Sequence, residues 1–221
     1  MTESPEPTEQ PLDLLYSETE DDLRAAVRAL LADRAGHQTL LGRIETESPY
    51  VPGLWKSLAG DIGAAGLLVP EKLGGQGASH REAAVVLEEL GRAVTPLPYL
   101  TSAVVATETL LAVAGESEAA AGLLAELAGG RTVAALAVPL STAPDAGPPS
   151  GGPVAAVADA GAADVFLVPR ADGLYAVPAD EATVAPHTPL DLTRPLAAGT
   201  TAAGCGAPPR GGPPPRRAGR A

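Results

Sequence analysis

The hydrophobic period of this chain changes at Gly129-Gly130, and that change limits the folds open to it. Before the glycine pair, apolar residues recur three and four positions apart. After it they come in short Val-rich runs bounded by Pro, Gly and Asp. The first pattern paints one face of a helix and the second fits an extended strand, and neither serves for the other. The expected class is α+β, with an all-α amino-terminal domain followed by an incomplete small β-domain.

The helical half carries its own punctuation. Ser17 followed by Glu20 reads as a capping box, and Leu23, Ala26, Val27, Leu30 and Leu31 then form the stripe of a helix that ends near Gly36. After Pro52, the residues Leu54, Trp55, Leu58, Ala59 and Ile62 predict a second helix, weakened by Gly63 and Gly66. Residues 67–70 read as an extended connector. Gly74, Gly75 and Gly77 make 72–77 a turn, because glycine supplies backbone conformations that other residues resist. Ser79 and Glu82 form a second capping box. It opens a helix with Ala83, Val86, Leu87 and Leu90 inside and Glu88, Glu89 and Arg92 on the solvated side, stopped by Pro96. Helices over 101–113 and 117–127 complete this half.

Strands are expected over 132–138, 153–157, 164–168, 174–177 and 182–185. Residues 142–153 hold four prolines and three glycines and read as a loop. From residue 199 onward there is no Leu, Val or Ile, so nothing there can bury a core. The expected division is a leader at 1–16 with three prolines, a helical domain at 17–130, a partial β-domain at 131–198 and a disordered Gly/Ala/Pro/Arg tail at 199–221.

Composition then excludes several functions. Ala supplies 44 of the 221 residues, so the 45% hydrophobic content overstates the apolar volume available to a core. Residues 1–198 carry 27 acids against 11 bases, a balance of −16, while the tail holds four arginines and no acid. A body of that charge repels polyphosphate, so no nucleic-acid partner is expected. The single cysteine, Cys205, excludes an intrachain disulfide, a CxxC redox pair and a cysteine-rich zinc site. With no bilayer-length apolar run and an acidic start, no membrane span is expected and the location expected is the cytoplasm.

No catalyst is visible by pattern alone. His37, His80 and His187 lie far apart without metal-ligand spacing, and His80-Arg81-Glu82 lacks the two cysteines that a deaminase zinc needs. No serine sits in a G-x-S-x-G elbow. The glycine cluster lacks the Lys-Ser/Thr ending of a phosphate loop, and the dinucleotide spacing would need a glycine where His80 stands. Glu88-Glu89 reads as a solvated face.

A longer ordered match carries more. The run Leu54-Trp55-Lys56-Ser57-Leu58-Ala59, then Gly66-Leu67-Leu68-Val69-Pro70-Glu71-Lys72-Leu73-Gly74-Gly75-Gln76-Gly77, then Val85-Val86-Leu87-Glu88-Glu89-Leu90-Gly91-Arg92 resembles the amino-terminal helical domain of acyl-CoA dehydrogenases. Leu97-Pro98-Tyr99-Leu100-Thr101-Ser102 and Asp191-Leu192-Thr193-Arg194-Pro195-Leu196-Ala197 resemble the high-GC bacterial branch, and the likeness covers about residues 12–198. The resemblance implies a helical domain, a β-barrel and a second helical domain, and FAD-dependent α,β-desaturation of acyl-CoA thioesters. A glutamate base would take the α-proton while flavin N5 accepts the hydride. In the family that base lies in the carboxy-terminal helical domain, which is expected to be absent here. No catalytic residue is therefore assigned in this chain.

The same resemblance places the flavin contacts on Leu136, Ala137 and Val138 and on Ala156 and Ala158. There the family's Thr-Glu-Pro and Trp-x-Thr motifs are replaced by alanines, so only main-chain groups remain to hold FAD. Leu97, Tyr99, Leu100 and Ala103 are the expected lining of an acyl tunnel for acyl-CoA. The chain alone is expected to be inactive or nearly so. The alternatives are a non-catalytic subunit, in a homo- or hetero-oligomer with a full-length relative, and an inert fragment with open strand edges. A frameshift near codon 200 or a genuine short paralogue would each account for the tail, and resequencing the locus separates them.

Overall fold

Two serine caps set the frame of the helical half. In the computed structural model, which describes residues 14–201 apart from 116, 144–145, 148–151 and 172, Ser17 Oγ accepts the Glu20 N–H at 3.2 Å. The Glu20 carboxylate takes the Ser17 N–H at 2.7 Å in return, opening α1 (Glu18–Arg34). A short α2 (His37–Leu41) follows, then α3 (Leu54–Lys56), which runs directly into a π turn over Ser57–Asp61. The Ser79–Glu82 box opens α4 (His80–Arg92), which lies against α1. A second π turn, Tyr99–Ala106, leads into α5 (Thr107–Ala114), and Ser117 caps α6 (Glu118–Ala128).

Residues 67–70 differ from the extended connector the sequence suggested. Leu67, Leu68 and Val69 continue a 3-10 turn begun at Ala64–Gly66, and the glycine loop folds back over them. Gln76, Gly77 and Ala78 donate their N–H groups to the carbonyls of Gly66, Val69 and Leu67 at 2.8–2.9 Å. Gly74 takes the left-handed conformation with φ 86°, whereas Gly75 is required for space, since a Cβ there would run into the Val69 carbonyl.

Among the described residues the β half forms two three-stranded sheets. One has the order β1 (Ala134–Leu136), β3 (Val165–Arg170), β4 (Gly173–Pro178), with β1 parallel to β3 and β3 antiparallel to β4. The other has the order β2 (Val154–Ala158), β6 (Leu196–Thr201), β5 (Ala182–His187), all antiparallel. No closed barrel forms among the described residues. β6 has no counterpart among the expected strands, and it runs three residues past position 198, where the β-domain was expected to end. Its sequence, Leu-Ala-Ala-Gly-Thr-Thr, is a weak strand former. It is held as the central strand, with backbone partners on both sides.

Buried apolar residues join the halves. Val69, Leu110, Leu124 and Leu127 from the helices pack in one cluster with Ala134 of β1 and Leu167 of β3. Trp55 Nε1 donates to the Gly130 carbonyl at 3.1 Å, pinning the helical core to the point where the period changes. The expected tail beyond residue 201 and the leader before residue 14 lie outside the described residues.

Candidate functional site

The seam between the two halves holds a pair of adjoining cavities, and local backbone devices build both. Pro98 opens the Tyr99–Ala106 π turn, accepting the Ser102 N–H at 3.0 Å. The wide turn brings Leu100 and Val105, five residues apart, to the lining of one cavity of about 170 Å³. Leu136, Val138, Leu140 and Ala158 face them from the β-domain. A second cavity of about 190 Å³ lies beside it, lined by Leu90, Thr95, Leu97, Asp159 and Arg194 among others. Leu100, Thr101, Leu140 and Ala158 line both.

A bulge in β2 places the β-domain wall. Val154 and Val157 pair with Gly199 and Ala197, so three steps on β2 oppose two on β6, and Ala156 takes φ 54°. The bulge turns the Ala156 carbonyl out of the ladder to accept the Leu140 N–H at 3.0 Å. Leu140, 61% exposed, is thereby fixed at the cavity mouth opposite Leu100, itself 44% exposed.

Immediately after the bulged strand, Asp159 closes the seam. Its Oδ1 accepts from Tyr50 Oη at 2.8 Å and its Oδ2 from Thr101 Oγ1 at 2.9 Å, while its N–H donates to the Pro195 carbonyl at 3.0 Å. It holds the left-handed φ of 52°. Burial pushes its carboxyl above the usual aspartate range, against the pull of the Tyr50 and Thr101 hydroxyls and the Arg194 charge. Burial beside that carboxylate also raises the Tyr50 phenol. Sequence reasoning passed over Asp159 and Tyr50. The available signal was an acid directly after a Val-centred strand run, where a turn residue was the simpler reading.

The expected site residues divide. Leu136, Val138, Ala158, Leu97 and Leu100 come together at the seam. Tyr99 and Ala103, expected to line a tunnel, are instead buried at 1% and 3% in the helical core, because the turn directs Leu100 and Thr101 to the seam and these two away from it. Ala137 is buried in the β core with Val157 and Phe166, and Ala156 contributes its carbonyl to Leu140. Tyr99's hydroxyl is also raised by burial.

The donor set does not by itself build a hydrogen-bonded flavin cradle. Several main-chain groups expected to hold FAD are already engaged: the Ala137 N–H with the Leu167 carbonyl and the Val138 N–H with the Leu136 carbonyl, both at 2.8 Å, and the Ala156 carbonyl with the Leu140 N–H at 3.0 Å. What these residues offer a planar ring is an apolar wall.

Glu89 corrects the reading of Glu88-Glu89 as one solvated face. Glu88 is 56% exposed, but the Glu89 side chain is 2% exposed and held by Arg24 at 3.0 Å and by Arg28 at 2.6 and 2.8 Å. The Arg28 guanidinium holds its carboxyl below the usual range. Glu20 is likewise buried against Arg81, 2.7 Å away, which lowers its pKa to about 2. A cavity of about 530 Å³ between α1, α2 and the end of α4 includes Arg28 and Glu89 in its wall. Their charges satisfy each other rather than a ligand.

Comparison with known proteins agrees with this architecture. The family model described as acyl-CoA dehydrogenase, N-terminal domain, matches residues 17–131. The acyl-CoA dehydrogenase IpdE2 of Mycolicibacterium smegmatis is 44% identical over 84 residues, which are 38% of this chain and 27% of that relative. Among solved structures, the Tcur3481–Tcur3483 steroid ACAD superposes with a TM-score of 0.71 at 27% identity, over 84% of this chain and 55% of that one. The ChsE4–ChsE5 complex from Mycobacterium tuberculosis gives 0.70 at 23% identity, over 86% of this chain and 56% of that one. This chain thus matches about half the length of these structures. Among the described residues no helix is long and apolar enough to cross a membrane.

Proposed function

The chain belongs to the acyl-CoA dehydrogenase family, and from that premise we propose that it supplies the acyl-binding seam of an FAD-dependent oxidoreductase that desaturates acyl-CoA thioesters. The carrying observation is the pair of cavities walled by Leu100, Thr101, Leu140 and Ala158, where the helical half meets the β half. FAD, when bound in the assembled enzyme, supplies the hydride acceptor. This chain's residues bind and orient: Leu100, Val105 and Leu140 exclude water from the acyl chain, and Leu136 and Val138 give the ring an apolar wall.

The polar anchors for FAD and the base for the α-proton come, in this reading, from outside the described residues. Work as one subunit of a mixed assembly is favoured by the likeness to the Tcur3481–Tcur3483 steroid ACAD and by the already engaged N–H groups of Ala137 and Val138. The likeness to the steroid ACAD suggests bulky ring-bearing acyl groups as the substrate class. The alternative of an inert fragment has no comparable support in the built seam.

Purification of the chain alone and together with a complete acyl-CoA dehydrogenase subunit tests this. The expected result is thioester binding by the chain alone without flavin absorbance, with flavin and dye-reducing activity retained by the mixture. Turnover of a thioester by the chain alone overturns the division of labour, and failure to bind any thioester overturns the assignment of the seam.

A further inference from the structure

We infer that Asp159 is a positioning residue that sets the spacing of the two cavity walls and thereby the size of acyl group admitted. This rests on the reading of the seam as the acyl site. The two tethers of its carboxylate begin far apart in sequence, Tyr50 lying 109 residues and Thr101 58 residues away, so the side chain gathers three separate segments at one point. The Thr101 tether has a wall at each end. Thr101 follows Leu100 on the helical side, and Asp159 follows Ala158 on the β side, so the Thr101–Asp159 hydrogen bond spans the gap those two residues line.

The carboxylate has little freedom to shift. Asp159 is 9% exposed, its N–H is bonded to Pro195 and its carbonyl accepts the Ala162 N–H at 2.9 Å. Val157, two residues before it, is fully buried in the β core. Changing the carboxylate or its Thr101 partner therefore relaxes the distance between walls, while Tyr50 and the main-chain bonds keep the domains together.

Small differences in pocket width are felt strongly by acyl groups that differ in bulk, because one methylene in a tight apolar pocket shifts selectivity by about tenfold or more. The test is calorimetric binding of CoA, butanoyl-CoA, octanoyl-CoA and cyclohexanoyl-CoA to the full chain and to its T101V, T101S and D159N variants. For T101V and D159N, the ratio of affinities between the ring-bearing and straight-chain thioesters should change by about fivefold. T101S, which keeps the hydroxyl, should return the parent ratio. A uniform weakening of every thioester, or an unchanged ratio in T101V, overturns the positioning role even if D159N fails to fold. If the unaltered chain binds no thioester, the seam assignment itself fails, an outcome distinct from an unchanged ratio.

Discussion

Tyr50 Oη donates to Asp159 Oδ1 at 2.8 Å, across 109 residues of chain, and with Thr101 it leaves that carboxylate hydrogen-bonded yet out of water. The helical and β halves are thus joined by a group whose ionised form is disfavoured by burial and supported by two hydroxyls and the Arg194 charge. Breaking this junction and breaking a helix–helix contact should have separable signatures.

The first signature is in pH. Burial raises the Asp159 pKa in the folded chain, so its contribution to stability is fully present below the ordinary aspartate pKa of about 3.9 and is lost as pH rises through the folded value. Tyr50, Thr101 and Arg194 are the groups that face it, and the raised Tyr50 phenol stays neutral in this window. D159N should remove the decline. Thermal melts of parent and variant between about pH 4 and 8 should show a difference that shifts in favour of D159N as pH rises, and a constant difference would contradict this.

Glu89 gives the opposite sign. Arg28 and Arg24 depress its pKa, so its stabilisation is present above the ordinary glutamate pKa of about 4.3 and is lost as pH falls through the folded value. Replacing it with alanine leaves the Arg24 guanidinium, 13% exposed, with only the exposed Glu88 carboxylate at 2.9 Å, and removes the buried partner of Arg28. Urea unfolding of E89A at neutral pH should show a loss of about 3 kcal/mol. E88A, removing an exposed carboxylate, should cost under about 0.5 kcal/mol. Equal losses would mean that Glu89 is no more than a surface group.

The glycine loop separates conformation from space. Gly74 has a left-handed backbone and open surroundings, so G74A should cost about 1 kcal/mol. At Gly75 a Cβ meets the Val69 main chain, and G75A should cost about 3 kcal/mol or abolish folding. Denaturant midpoints of the two variants decide it, and the reverse order would refute the packing described.

Trp55 is the chain's one tryptophan, and its indole N–H reaches the Gly130 carbonyl at the boundary of the two halves. W55F should cost about 1 kcal/mol for the lost hydrogen bond. In the parent, tryptophan emission and far-ultraviolet circular dichroism should change together on unfolding if the buried cluster shared by α5, α6, β1 and β3 makes the halves cooperative. Separated transitions would show that they unfold independently.

Much of the framework was legible in the chain. The Ser17–Glu20 and Ser79–Glu82 boxes, the glycine turn and the Val-centred runs of β3 and β4 are all read from residues a few positions apart. At the seam, Leu97, Leu100, Leu136, Val138 and Ala158 were reachable through a family likeness, but Asp159 and Tyr50 were not, because neither carries a motif. β6 was missed because its residues are poor strand formers that gain their conformation from β2 and β5.

The amino-acid order alone determined where the serine-capped helices α1, α4 and α6 start, where the glycine loop turns and where the period passes from helical to extended. Those outcomes follow from capping, steric and periodic constraints that act within one or two turns of chain. Only the tertiary structure decided that Glu89 is buried while Glu88 is not, that Ala156 bulges, and that an aspartate takes two hydroxyls from distant segments. Burial and pairing depend on which surface meets which, and the residues that settle it lie tens to more than a hundred positions away.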